Sequence, residues 1–342
     1  MILIDGSSLT YKIYHGNKKE IISPEGEFQK NYFKHLLLSA LMWRVKKLGG
    51  SKHNKVVICS DSKPYWRTEY FNSVKDEYFK DYFLTEKTTK DIDIPNYTYK
   101  GKRTKDEHAK SVWEVHTEVI SFIRDYTDFI ELKVKEAEAD DVIAVLSKHY
   151  CKQEEVFIVA GDKDFKQLLT NENIHIYNDN PFKKKGSSDF MEEENPLRFL
   201  ITHIMTGDAS DNIPNIKPKL GNKTALKLFE NKEAFDEMLE LNPSIKFRYE
   251  VNRKMIDFNM IPDYLQQRII NEYNQEIQNN YDELNVMQYF FDNRLNDLQD
   301  RRTEFRLKEY PVETTLNTYF KRMKKDIAYN QYKDQLTLDD LF

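Results

Sequence analysis

Short runs of aliphatic and β-branched residues punctuate the first half of the chain, at 2–4, 55–59, 156–160 and 174–177. Between them apolar residues return every three or four positions, as in Val112, Val115, Val119, Phe122 and Ile123, which is the spacing of one helical face. Strands alternating with helices predict a parallel sheet covered on both faces, an α/β fold. Beyond about residue 200 the strand runs stop and helical segments such as 264–270 follow one another, so an all-α second region is expected there. Residues 69–98 are aromatic, charged and poorly periodic, which reads as a mobile insertion or an element that orders on binding.

The acids fall where this pattern gives them meaning. Asp5 follows the first strand run, Asp61 the second, and Asp162 and Asp164 the third. Open parallel sheets bind ligands outside the carboxyl ends of their strands, so three strands would aim carboxylates at one crevice. Glu138, Asp140 and Asp141 open an apolar helix that can turn towards the same place, and Asp208 and Asp211 lie three apart in 207-GDASDN-212. Such acids are also common in turns and helix caps. Their convergence from three strand ends outweighs that reading. So many carboxylates share a site only if cations neutralise them, because close like charges raise one another's pKa. Hard oxygen donors suit Mg²⁺, with Mn²⁺ able to substitute. Two such ions clamp the attacking and leaving oxygens of an in-line phosphoryl displacement, which is nuclease or phosphatase chemistry.

Composition narrows the classes. The 342 residues exceed the roughly 250–300 at which single cores stop growing, so two domains are expected. Ten Gly and ten Pro are few for this length, consistent with a helix-rich chain. Lys and Arg number 52 against 57 Asp and Glu, a net charge of −5, so any nucleic-acid surface must be a local patch. Cys59 and Cys151 are too few for a disulfide framework or a cysteine zinc site and read as buried thiols. The longest apolar run, near 35–43, is too short to span a membrane, and the start meets Asp5 at once with no signal-like pattern. The expected compartment is the cytoplasm, that of the host cell if the source is viral.

Two basic patches stand out. Residues 99–105 carry Lys100, Lys102, Arg103 and Lys105 ahead of a helix, either a solvated basic face or a phosphate contact. From 212 to 229 there is no acid, while Lys217, Lys219, Lys223 and Lys227 are present. There Gly221, Asn222, Lys223 and Thr224 open a helix whose N-terminal amides suit a backbone phosphate.

The blocks Glu138-Ala-Asp-Asp, 161-GDKDFKQL-168 and 207-GDASDNIP-214 resemble the signatures of the flap endonuclease/5′-to-3′ exonuclease family. Together with 65-YWR-67 and 256–263, the match is similar to the family's T-even phage ribonuclease H branch over roughly residues 1–300. The resemblance implies a PIN/5′-nuclease-like core at 1–200 with a helical arch around 65–110, then a helix-three-turn-helix duplex-binding region at 201–315. Carried over, its metal acids fall on Asp5, Asp61, Glu138, Asp140, Asp141, Asp162, Asp164, Asp208 and Asp211. Asp5, Asp61 and Asp140 would serve mainly a first ion, and Asp162, Asp164, Asp208 and Asp211 a second. Lys100 and Arg103 become scissile-phosphate contacts in the arch. Tyr99, Lys102, Lys217, Lys219, Gly221, Lys223 and Thr224 become nucleic-acid contacts. Asn215 and Lys219 stand where the family commonly has glycine, a departure that leaves potassium coordination by that loop open and favours phosphate.

A basic tail at 316–342 ends in Gln335, Leu338, Leu341 and Phe342, which resembles a sliding-clamp-binding peptide, the plainer reading being a docked or frayed terminus. The expected function is a monomeric, two-Mg²⁺ structure-specific 5′ nuclease. It would remove RNA primers from RNA·DNA hybrids and trim double-stranded DNA at 5′ ends or flaps. A single-strand ribonuclease of the related fold is the alternative enzyme, disfavoured by the lysine loop. A catalytically inactive nucleic-acid-binding scaffold is disfavoured by the complete acid set.

Overall fold

The computed structural model describes residues 1–49, 55–80, 82, 96–101, 106–179, 188–276 and 281–307. Lys102, Arg103, Lys105 and the tail residues Gln335, Leu338, Leu341 and Phe342 lie outside them.

Five strands, β1 (Ile2–Asp5), β2 (Val56–Cys59), β3 (Ile130–Leu132), β4 (Val156–Ala160) and β5 (Ile174–Asn178), form one parallel sheet in the order β3-β2-β1-β4-β5. Ile2 pairs with Val56 on one side and Phe157 on the other, so β1 is central. β3, absent from the expected runs, is three residues at the sheet edge and too short to show a pattern.

Helices cover both faces, as a parallel sheet requires. α1 (Gly6–Gly16), α2 (Lys18–Ile21), α3 (Lys30–Lys47), α4 (Trp66–Phe79), α5 (Ala109–Tyr126) and α6 (Ala139–Tyr150) belong to the strand-bearing half. α7 (Pro196–Thr206) spans the boundary expected near 200. α8 (Asn222–Glu230), α9 (Lys232–Leu241), α10 (Pro243–Ile256), α11 (Asp263–Glu276) and α12 (Glu283–Asp292) follow.

The period-two alternation of the strands divides the core. Ile2, Ile4, Val56, Ile58, Phe157 and Val159 pack with α1, α3, α5 and α12 on one face. Leu3, Val57, Cys59, Val156, Ile158 and Ala160 pack with α6 and α11 on the other. The later helices thus do not share one core: α11 and α12 cover opposite faces of the sheet. α7 to α10 build a third cluster with Phe71, Tyr78 and Phe79 of α4. Cys59 and Cys151 are free and buried. No described helix is long and apolar enough to cross a membrane.

α4 corrects the expectation of a poorly periodic insertion from 69 onwards. Its Trp66, Phe71, Tyr78 and Phe79 are buried, and Tyr78 Oη donates to Asn252 Oδ1 at 3.0 Å. Polar and charged residues such as Thr68, Asn72, Ser73, Lys75, Asp76 and Glu77 interrupt the buried positions, so these do not register as one helical period.

Candidate active site

The carboxyl ends of β1, β2 and β4 open into a crevice whose rim is built by local turn chemistry. Asp5 ends β1 and caps α1, accepting from the Ser8 N–H at 2.8 Å. Gly6 follows because a Cβ there would stand 2.9 Å from Ile58 Cγ2, so α1 starts hard against β2. Asp61 lies just beyond β2, where its Oδ1 accepts from the Ala139 N–H at 3.1 Å and ties the second strand to the start of α6. Asp162 lies just beyond β4, caps the 3-10 turn Lys163–Leu168 and accepts from the Asp164 N–H at 2.9 Å.

A loop after α7 brings in the last pair. Gly207 has φ +68°, and a Cβ on it would sit 2.3 Å from Pro214 O and 2.4 Å from Ile213 O, so only glycine permits this reversal. The loop closes when the Ile213 N–H donates to Asp208 O at 2.7 Å. Asp208 Oδ1 is fixed by the Ser210 N–H at 2.9 Å and the Ser210 hydroxyl at 2.6 Å.

The start of α6 separates its acids by direction. Glu138 caps the helix, and consecutive residues on a helix point about 100° apart. Asp140 is left at the crevice, while Asp141 turns inward and is fully buried. Asp141 accepts from Arg67 Nη1 at 2.6 Å, Trp66 Nε1 at 2.9 Å and the Glu138 N–H at 3.1 Å. Its oxygens are spent inside the protein. Asp141, expected among the metal acids, is thus held by Arg67, Trp66 and the start of α6. Arg67 Nη1 also donates to Glu138 Oε2 at 3.0 Å, and its Nε donates to Met255 O at 2.8 Å, joining α4 to α10.

Lys100 sits at φ +59° with its N–H donating to Asp211 O at 2.8 Å. Its ammonium donates to Glu138 Oε1 and lies 3.6 Å from Asp211 Oδ2. Tyr99, expected as a nucleic-acid contact, is instead buried. Its hydroxyl donates to Asp211 Oδ2 at 2.9 Å and lies 3.1 Å from Glu138 Oε2, so it braces two acids.

Burial raises most of these carboxylates, the braced Asp141 included, where Arg67 opposes it. Burial and then Asp61 push the Asp5 carboxyl up to about 7. Loss of hydration and then Asp164 push Asp162 up to about 6. Burial and then Asp5 hold Asp140 well above the ordinary range, with Lys100 opposing. Glu138 goes the other way: burial would raise it, but Lys100 and Arg67 hold it below the usual range.

The sequence alone gives two more site residues no role. Arg67 enters the sequence reading only as part of 65-YWR-67, with no role of its own. His203 falls within the apolar face of α7 and is buried there, with Nε2 3.1 Å from Asp164 Oδ1 and 3.8 Å from Asp208 Oδ2. Its place five residues before Asp208 is a signal only once the loop reversal is known.

Outside the crevice, Lys217, Lys219, Gly221, Lys223 and Thr224 are exposed around the N-terminus of α8. They form a surface distinct from the acids.

Residues 1–196 match the family model described as the N-terminal, resolvase-like domain of 5′-3′ exonucleases, and residues 222–305 match the C-terminal region of T4 RNase H. Ribonuclease H of Enterobacteria phage T4 is 28% identical over 268 residues, covering 70% of this chain and 76% of that protein. The 5′-3′ exonuclease of Buchnera aphidicola (strain APS) is 33% identical over 194 residues, covering 52% of this chain and 65% of that one. DNA polymerase I of Lactococcus lactis (strain IL1403) is 28% identical over 72% of this chain, which spans only 26% of that longer protein. Among solved structures, the T5 flap endonuclease in a pseudo-enzyme-product complex with DNA and metal ions superposes with TM-score 0.54 at 15% identity, over 81% of this chain and 98% of that one. The zinc-bound T5 5′-exonuclease gives TM-score 0.52 at 16% identity, over 81% and 99%. At these identities the structures establish a shared fold: a parallel-sheet α/β nuclease with a helical C-terminal region.

Proposed function

This chain belongs to the 5′-3′ exonuclease family of nucleases, and on that premise we propose a Mg²⁺-dependent, structure-specific 5′ nuclease that removes RNA primers from RNA·DNA hybrids and trims DNA 5′ ends or flaps. The observation that carries this reading is the charge imbalance of the crevice. Asp5, Asp140 and Asp162 are all pushed above the carboxylate range, and Lys100 is the ammonium that offsets the first two. The donor set is carboxylate oxygen, which fits Mg²⁺. Asp5, Asp61 and Asp140 would hold one ion, and Asp162, Asp164, Asp208 and Asp211 a second. When bound, the ions supply Lewis-acid stabilisation of the attacking and leaving oxygens in phosphodiester hydrolysis.

The chain's own groups do the rest. Lys100 keeps a positive charge at the crevice, where it opposes charge that grows on the phosphoryl group. Tyr99 and Arg67 hold Glu138, and through it Lys100, in place. Arg103 is assigned to the same task, and Lys102 to backbone contact. Lys217, Lys219 and Lys223, with Gly221 and Thr224 at the N-terminus of α8, would grip a backbone phosphate of the duplex. Such contacts fix register and read structure with little base preference.

The same proposal assigns 1–200 to the nuclease core, 201–315 to duplex binding and 316–342 to a tail. In it, Gln335, Leu338, Leu341 and Phe342 tether a monomeric enzyme to a sliding clamp in the cytoplasm. The test is release of short 5′ products from a labelled RNA primer on a DNA template. Products are expected with Mg²⁺ and none with EDTA; cleavage in EDTA would refute the metal reading.

A further inference from the structure

His203 is about nine-tenths buried on the last turn of α7, yet its Nε2 makes no hydrogen bond to any described residue. Asp164 Oδ1, 3.1 Å away, is likewise a buried atom without a hydrogen-bond partner. The two atoms form an ion pair when the imidazole is protonated; when it is neutral with its proton on Nδ1 they present lone pairs to each other, an arrangement that costs stability unless a cation meets both. Asp208 completes the set. Ser210 occupies its Oδ1, while Oδ2 lies 3.8 Å from the same Nε2. The three donor atoms all lie within 4.8 Å of one another. Two ligands held about 2.1 Å from one ion stand roughly 3 to 4 Å apart, so the separations of His203 from Asp164 and from Asp208 suit a shared cation.

We propose that His203 joins Asp164 and Asp208 as a nitrogen-bearing ligand set, and that this half of the crevice takes a first-row transition ion, Mn²⁺, in preference to Mg²⁺. The inference rests on the reading of the crevice as a divalent-cation site and adds a residue and a selectivity to it. Mg²⁺ favours all-oxygen octahedra and dehydrates reluctantly, whereas an imidazole nitrogen suits the transition ions. The backbone supports the arrangement: the Gly207 N–H donates to His203 O at 2.8 Å, so the turn that returns Asp208 is anchored on His203 itself.

The experiment is pulsed EPR of the full chain loaded with Mn²⁺ alone, read for the ¹⁴N coupling of a directly bound imidazole. The coupling is expected in the wild type and absent in His203→Leu. In that variant Mn²⁺ affinity at this site should fall at least about tenfold, while Mg²⁺ affinity, measured by competition, changes less than about threefold. Mn²⁺ bound without ¹⁴N coupling in the wild-type protein would overturn the proposal and leave the divalent-cation reading standing. No Mn²⁺ bound at all would overturn both. The wild-type spectrum decides the matter even if His203→Leu does not fold.

Discussion

The carboxylates around the start of α6 fall into two sets that are neutralised by different means. Glu138 and Asp141 face the protein, where Arg67, Trp66, Tyr99 and Lys100 satisfy them with short hydrogen bonds. Asp5, Asp140 and Asp162 lie at the crevice and are pushed upward by burial and by neighbouring carboxylates, Asp61 for Asp5, Asp5 for Asp140 and Asp164 for Asp162. Burial raises Asp141 too, so what separates the sets is the hydrogen-bonded cations around Glu138 and Asp141; on our proposal the braced set serves the fold and the other is the site left short of positive charge. Asp140 and Asp141 make the point most economically, since one residue of helical rotation separates the two roles.

Substitutions can break this division from either side, and the largest effect is expected on catalysis. Asp162→Asn or Asp208→Asn should lower cleavage by about three orders of magnitude, because several kcal/mol of charge stabilisation disappears with an ion. Duplex binding, which rests on the lysines near α8, should survive in gel-shift titrations. On the braced side Arg67→Met should cost about 3–5 kcal/mol of stability in urea unfolding, because it strands two buried carboxylates. Wild-type stability in that variant would show that Glu138 and Asp141 do not depend on the guanidinium.

A smaller effect separates Lys100 from the lysine surface. Lys100→Ala should lower kcat about a hundredfold, since its charge faces one that develops in the transition state. Lys219→Ala with Lys223→Ala should mainly raise KM and reduce the salt slope of binding by about two. A pure KM effect in both would remove Lys100 from the reaction.

Strand-end acids were legible in the chain because a β-branched run followed by an acid is a one-dimensional pattern, and β1, β2 and β4 each carry one. The bracing was not. Arg67 meets Asp141 across 74 positions of sequence, and no local pattern announces a pairing of that kind. α4 escaped because polar and charged residues interrupt its buried positions, and His203 because its neighbours on α7 are apolar. Nor does helical periodicity reveal that α11 and α12 return to opposite faces of the sheet, since it fixes which face of a helix is buried and leaves open what buries it.

The smallest effect, a pH dependence of stability, follows from the raised carboxyls. Asp5 moves from the usual 3.8 to about 7 and Asp162 to about 6. Between these limits the folded, metal-free protein binds more protons than the unfolded chain, so its stability falls as pH rises through the window. Mg²⁺ should offset that loss. Its effect on Tm is therefore expected to be small at pH 5 and full at pH 8, and an equal effect at both would contradict the shifts.

The most direct test is the thermal melting of wild type and Asp5→Asn at pH 8, each with EDTA and with Mg²⁺. Asparagine still caps α1 but carries no charge, so it separates the structural duty of Asp5 from its electrostatic one. The division into braced and unbraced acids predicts that the metal-free variant melts a few degrees above metal-free wild type and gains less from Mg²⁺. A metal-free variant that melts lower, with the Mg²⁺ gain unchanged, would contradict it.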